Sequence, residues 1–147
     1  MTSIIYVLQF NGKAGPANEA GTILKATTTA PSCRITTTVG PDGVAGDFQA
    51  AEGGRASFES EVRITGDTSF QEKGTISMGK SRLHFSTVGQ GYLGGSPDPK
   101  VRHGSVIWRI DRGEGRFQGA TGLITSNFVV TDQGEVTDNQ FGVLFLS

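Results

Sequence analysis

The chain has 147 residues, 35% of them hydrophobic and 18% charged, with a formal net charge of −1 at pH 7. That length suits a single domain, residues 1–147, and the near-neutral balance argues against a nucleic-acid partner, which would need a clustered basic face. One cysteine, Cys33, excludes an intrachain disulfide and a cysteine-based metal cluster.

With 22 glycines and no long helical periodicity, the chain reads as all-β with many turns. Residues 4–10 predict a first strand with Ile4, Tyr6, Leu8 and Phe10 on one face and Ile5, Val7 and Gln9 on the other. Residues 11–16, Asn-Gly-Lys-Ala-Gly-Pro, have a turn composition. A second strand is expected over 21–29, closed by Ala30-Pro31, and a third, β-branched one over 34–39. A shorter strand spans 46–51, followed by Glu52-Gly53-Gly54.

Residues 55–64 alternate most cleanly. Ala56, Phe58, Ser60, Val62 and Ile64 share one face, and Arg55, Ser57, Glu59, Glu61 and Arg63 share the other. That is the pattern of a half-buried antiparallel strand. Strands over 70–78 and 82–88 follow, and residues 89–102 then form the longest stretch without strand character, which reads as a lid or connector. Three last strands run through Val106, Leu123 and 136–146. Between the first two of these lie residues 113–122, Gly-Glu-Gly-Arg-Phe-Gln-Gly-Ala-Thr-Gly. Four glycines in ten suit a corner in a curved sheet rather than a helix.

The spacing of these strands predicts a sandwich or a barrel rather than a parallel sheet. The first and last strands are apolar on both faces, so in a small closed barrel one face would line the lumen and the other would need cover. Either a homo-oligomer, a dimer or trimer with Tyr6, Leu8 and Phe10 at the contact, or a loop supplies it. No apolar run approaches the ~18 residues needed to span a bilayer. The first ten residues lack a basic segment and a small-residue cleavage site, so the expectation is a soluble cytoplasmic protein without membrane partners.

The motif Gly113-x-Gly115-Arg116-Phe117-x-Gly119-Ala120-x-Gly122 resembles one in the last part of dirigent proteins, allene oxide cyclases and related bacterial barrels. The similarity is clearest over about the last 45 residues. It implies a single antiparallel closed β-barrel of about eight strands, allene oxide cyclase-like or dirigent-like, and a trimer where the family precedent holds. Dirigent proteins are generally secreted, which this amino terminus does not match. In allene oxide cyclases the first strand carries a Glu-x-Asn pair facing the cavity, before a turn ending Gly-Ser-Pro. Here Gln9-Phe10-Asn11 leads to Gly15-Pro16. Asn11 and Pro16 match, and Gln9 stands where the glutamate would be. A glutamine supplies no negative charge, so the resemblance implies a polar pair in an apolar pocket rather than allene oxide cyclisation itself.

No catalytic signature is present: no G-x-S-x-G, P-loop or H-E-x-x-H. Residues 89–94 spell G-x-G-x-x-G but lead into Gly-Ser-Pro, not a helix. His84 and His103 are the only histidines, a poor ligand set, so neither metal nor cofactor is expected. His84, in phase with Arg82, reads as solvent-facing.

The candidate catalytic residues are Gln9, Asn11 and Asn127, expected in the lumen, with Tyr92 and His103 at its mouth. The candidate ligand-binding residues are Pro16, Phe58, Val62, Phe85 and Arg109. Arg109 reads as outward, paired with Glu59 or Glu61; pointing inward it would need a substrate carboxylate. Cys33 reads as a structural thiol, with a low-pKa thiol beside Arg34 as the alternative. The function that fits best is a cofactor-independent cyclase or isomerase acting on a hydrophobic small molecule, polyketide- or lipid-derived, by folding it into a reactive conformer. The alternatives are a lipocalin-like binder or carrier of an apolar ligand, and a structural oligomer with a filled core.

Overall fold

A computed structural model describes residues 1–147. Its nine strands are β1 (Thr2–Pro16), β2 (Ile23–Gly40), β3 (Gly43–Ile64), β4 (Ser69–Met78), β5 (Ser81–Thr87), β6 (Gly91–Gly95), β7 (Val101–Glu114), β8 (Thr121–Thr131) and β9 (Glu135–Leu146). All pairings are antiparallel, in the order β3-β2-β1-β9-β8-β7-β5-β4-β6. β3 also pairs with β4, and β6 with β7, so the sheet closes on itself as a barrel-like ring. β5 and β6 follow one another along the same gap, each pairing with β4 on one side and β7 on the other.

Side-chain parity builds the interior. Along β3, Ala56, Phe58 and Ser60 are buried while Arg55, Ser57 and Glu59 face solvent, as the alternation over 55–64 predicts. At one end of the ring, Phe10, Phe58, Phe85 and Trp108 form a continuous aromatic cluster, with ring centroids 4.4–5.8 Å apart. Pairs at such distances add about 0.5–1.5 kcal/mol each beyond the area they bury. Ile76, Leu83, Ile124 and Leu144 complete this closed end.

Four inward rings face a glycine directly across the ladder: Tyr6 and Gly142, Phe70 and Gly91, Phe85 and Gly74, Phe128 and Gly104. A β-carbon at any of these glycines would fall inside the facing ring's van der Waals envelope. The sheet therefore curves tightly there, with each ring laid over bare backbone.

Several boundaries differ from the sequence reading. Residues 11–16 extend β1, because both β2 and β9 supply ladder partners for them. The stretches at 30–31 and 52–54 do not end strands; β2 and β3 continue past them, with a register shift between Pro31 and Cys33. β6 occupies the middle of 89–102, its Gly91 covered by Phe70, and leaves residues 89–90 and 96–100 as connectors. The corner at 113–122 stands as expected. A single 3-10 turn, Gly115–Phe117, sits between β7 and β8, with Gly115 and Gly119 at φ of 66° and 77°. The Arg116 amide donates to Ser81 Oγ (3.0 Å), which pins the corner to β5.

Tyr6, Leu8 and Phe10 point into the ring, with Phe10 fully buried, and are not contact residues for a second chain. The outward face of that wall carries Ile5, Leu123, Phe141 and Phe145 instead, all exposed.

Candidate functional site

The end of the ring opposite the closed cluster is open. There the last turns of β1 and β8 and the first of β2, β4 and β9 enclose a cavity of about 330 Å³, within the range of small-molecule sites. Leu24, Val62, Phe70, Leu93, Phe128 and Val136 make its wall apolar. Pro16, Pro99, Lys100, Arg102 and Asp132 lie at its rim, and neither Lys100 nor Arg102 makes an ion pair.

Two carboxyls face this apolar space, Glu72 from β4 and Asp138 from β9. Both residues are more than nine-tenths buried. Each is held by a serine from the neighbouring strand: Ser60 Oγ donates to Glu72 Oε2 (2.5 Å), and Ser126 Oγ donates to Asp138 Oδ1 (2.5 Å). Gln140 Nε2 donates to the second oxygen of Asp138 (2.8 Å). The backbone of Glu72 is fixed in turn by Thr87, whose hydroxyl accepts from its amide and donates to its carbonyl.

Their acidities differ. Removal from water pushes the Glu72 carboxyl from 4.5 up to about 8, and the nearby Asp138 charge adds to that push. The Ser60 hydrogen bond opposes it, as does the Trp108 indole N–H, which stops short of full hydrogen-bond geometry. Burial also raises Asp138, from 3.8 to about 6, but its two hydrogen bonds from Ser126 and Gln140 restrain the rise. At neutral pH one carboxyl is therefore an acid and the other a base, inside one apolar chamber. Tyr6 is nearby and raised by burial and by the Asp138 charge. Its hydroxyl, Thr28 Oγ1 and Gln140 Oε1 are buried without partners; of the three residues Thr28 lines the cavity, where its hydroxyl is free for a ligand.

The structure separates the residues expected from sequence into two groups. Pro16, Phe58 and Val62 line the cavity. Phe85 lies behind it in the closed cluster, stacked on Phe58. Gln9, Asn11 and Asn127 are not in the lumen. Parity decides this, since Phe10 and Ser126 are buried inward and their neighbours must face out. On the outer wall Gln9 donates to Asn139 (2.9 Å), Asn11 accepts from Thr137 (3.0 Å), and Asn127 is exposed.

Tyr92 and His103 are also exposed and outward, packed edge to face on one another at 6.3 Å. Arg109 faces outward as expected, but its partner is Asp111 (3.3 Å), two residues along its own strand, rather than Glu59 or Glu61. His84 is half-buried on the outer face between Thr75 and Glu114. The His84 contact, with Arg112 and Arg82 behind it, holds the Glu114 carboxyl below its ordinary range. Cys33 is a free, half-buried thiol that donates to the Val7 carbonyl (3.3 Å).

No group of three or more His, Cys, Asp or Glu side chains is placed to hold a metal ion, and no helix is long and apolar enough to cross a membrane. Glu72 and Asp138 were visible in the sequence as carboxylates in the apolar phase of their strands. Glu72 falls in step with Phe70, Ile76 and Met78, and Asp138 with Gly142, Leu144 and Leu146. That phase is the signal that finds them. Comparison with protein-family models, curated proteins and solved structures finds no match to this chain.

Proposed function

We propose that the chain is a cofactor-independent isomerase or cyclase for an apolar small molecule, working by proton transfer between Asp138 and Glu72. The observation that carries this reading is the pair of buried carboxyls of unlike acidity on one apolar cavity. Ionised at neutral pH, Asp138 takes a proton from an activated carbon of the substrate. Neutral Glu72 donates its proton to the oxygen or carbon where negative charge collects. An isomerisation or ring closure balances under this scheme, since one proton leaves the substrate and one returns; proton exchange with solvent at the open end then deprotonates Asp138 and reprotonates Glu72, which restores the pair. The cavity wall contributes by holding a flexible chain in a reactive conformer.

The resemblance of residues 113–122 to allene oxide cyclase and dirigent barrels agrees with a closed ring and a chamber at one end. The chemistry differs from what that resemblance implied, because Gln9 and Asn11 lie outside. A second reading, a binder of apolar ligands, draws on the hydrogen bonds from Ser60 and Ser126, which also suit carboxyls that merely anchor a ligand's polar end.

The test starts from the molecule extracted from natively purified protein and identified by mass spectrometry. Incubated with the protein in deuterated water, it should isomerise or incorporate deuterium, with kcat/KM rising through about pH 6 and falling above about pH 8. Glu72→Gln and Asp138→Asn should each lower the rate by about 10²-fold or more. A ligand that binds and is recovered unchanged, with no deuterium, supports the binder instead.

A further inference from the structure

Beyond the register shift at Pro31/Cys33, β2 and β3 pair only with each other, through eight cross-strand pairs from Cys33–Ala50 to Gly40–Gly43. No other strand joins them. This two-stranded arm reaches about 25 Å from the ring. A lone hairpin is marginally stable in water and offers unpaired backbone on both edges. The arm is also amphipathic. Cross-strand partners share a face, so Ile35 with Phe48 and Val39 with Val44 form an apolar side, while Arg34 with Gln49 and Thr36 with Asp47 form a polar one. Ile35, Val39 and Val44 are 44%, 81% and 73% exposed.

The same chain carries a second uncovered apolar surface. On the outer wall of β1, β9 and β8, Ile5 is opposite Val143, Val143 is opposite Leu123, and Phe145 is opposite both Ser3 and Thr121. Ile5, Leu123, Phe141 and Phe145 are 42–67% exposed. Beside it the backbone edge of residues 2–10 in β1 lacks a strand partner, because β2 pairs with β1 only from Asn11 onward; the Cys33 thiol at the base of the same chain's arm donates to the Val7 carbonyl there. Residues 2–10 carry no charged side chain, and the arm carries only Arg34, Asp42 and Asp47. Two nearly neutral surfaces therefore meet without burying an unpaired charge cluster.

We infer that the arm of one copy lies on the β1–β9 outer wall of a second copy, reciprocally, to form a two-fold dimer. Each chain contributes one arm and one wall, so reciprocal docking leaves neither uncovered. The arm and the free edge together supply roughly the 20–30 residues per side of a standard interface.

Sedimentation of the full chain over about 1–200 µM, a span that brackets ordinary dimer affinities, tests this. The expected species has twice the 15.5 kDa mass of one chain. The double variant Val39→Asp/Val44→Asp, at the exposed arm tip, should weaken association at least about tenfold. Ile5→Asp on the wall should do the same. Trp108 fluorescence should stay unchanged in both, which reports an intact ring. A wild-type chain that stays monomeric throughout overturns the inference, including the case where the arm folds onto its own ring. A dimer indifferent to the arm variant overturns it as well, and a dimer lost with the arm variant but untouched by Ile5→Asp overturns the placement on the wall.

Discussion

Replacing Glu72 by Gln should stabilise the protein at neutral pH while removing the proton that the proposed reaction needs. The reasoning begins with an ordinary carboxyl of 4.5 that the fold raises to about 8. Below pH 4.5 the group is neutral in folded and unfolded chains alike and costs nothing. Between 4.5 and 8 the unfolded chain releases a proton that the fold retains, so stability falls by about 1.36 kcal/mol for each pH unit. The loss reaches about 3 kcal/mol at pH 7 and approaches about 5 kcal/mol above pH 8. A domain has only about 5–15 kcal/mol in total.

Glutamine keeps the shape and still accepts the Ser60 hydrogen bond, but has no proton to lose. The variant should therefore match the wild type near pH 4, gain about 3 kcal/mol at pH 7, and melt about 10 °C higher there. Guanidinium unfolding at a series of pH values reads this directly, with the single tryptophan, Trp108, as the probe from inside the ring. Asp138 imposes a similar slope at lower pH, between 3.8 and about 6, and it remains in the variant. The two stability curves should consequently part above about pH 5 and run level past about pH 8. Parallel curves across that window would show that the fold does not hold Glu72 neutral, and the acid–base assignment would go with it.

Asp138→Asn should remove the rising limb near pH 6 from the rate profile and bring the Glu72 titration downward, because its charge adds to the push on Glu72; a carboxyl-region infrared titration of the variant follows the second effect. Gly142→Ala should cost about 1–3 kcal/mol in a denaturant titration, since the new methyl must displace the Tyr6 ring. Asn11→Ala and Asn127→Ala should leave turnover of the co-purified ligand within about twofold of wild type, because both are exposed surface positions. Lost turnover with intact folding in either would return the site to the residues first read from the sequence.

How far the sequence was legible depended on which physical signal each part of the fold used. Strand existence followed from alternation and turn chemistry, and the corner at 113–122 from its glycine spacing, because these are local. The joining of 34–39 to 23–29, and of 46–51 to 55–64, was not legible. A bulge lets a strand continue through Pro31, and Gly53 extends where its composition suggests a break. β6 was hidden for a related reason: Gly91 looks like a loop residue until the Phe70 ring across the ladder is seen to cover it. The site was less legible. The resemblance to a Glu-x-Asn pair points Gln9 and Asn11 into the lumen, and a mid-strand amide points Asn127 there, whereas parity with Phe10 and Ser126 sends all three outward. The same rule, applied to charged residues in apolar phase, points to Glu72 and Asp138.

Those two positions conflict with everything else about the interior. Along β4 the inward side chains are Phe70, Glu72, Ile76 and Met78, and along β9 they include Val136, Asp138, Leu144 and Leu146. An apolar residue at 72 or 138 would remove a cost of about 3–5 kcal/mol per carboxyl at neutral to alkaline pH. It would leave the buried Ser60 and Ser126 hydroxyls without their acceptors, at about 1–3 kcal/mol each, unless those positions became apolar too. Both carboxyls line the cavity, yet Glu72 lies against the Trp108 indole and Asp138 pairs across the ladder with Phe10, so the two costly groups stand where the open end meets the aromatic cluster. A ring built only to be stable gains nothing from carboxyls at that boundary. It is intelligible if the open end is where a ligand is handled, with stability given up at the two atoms that must exchange protons and recovered in the aromatic cluster behind them.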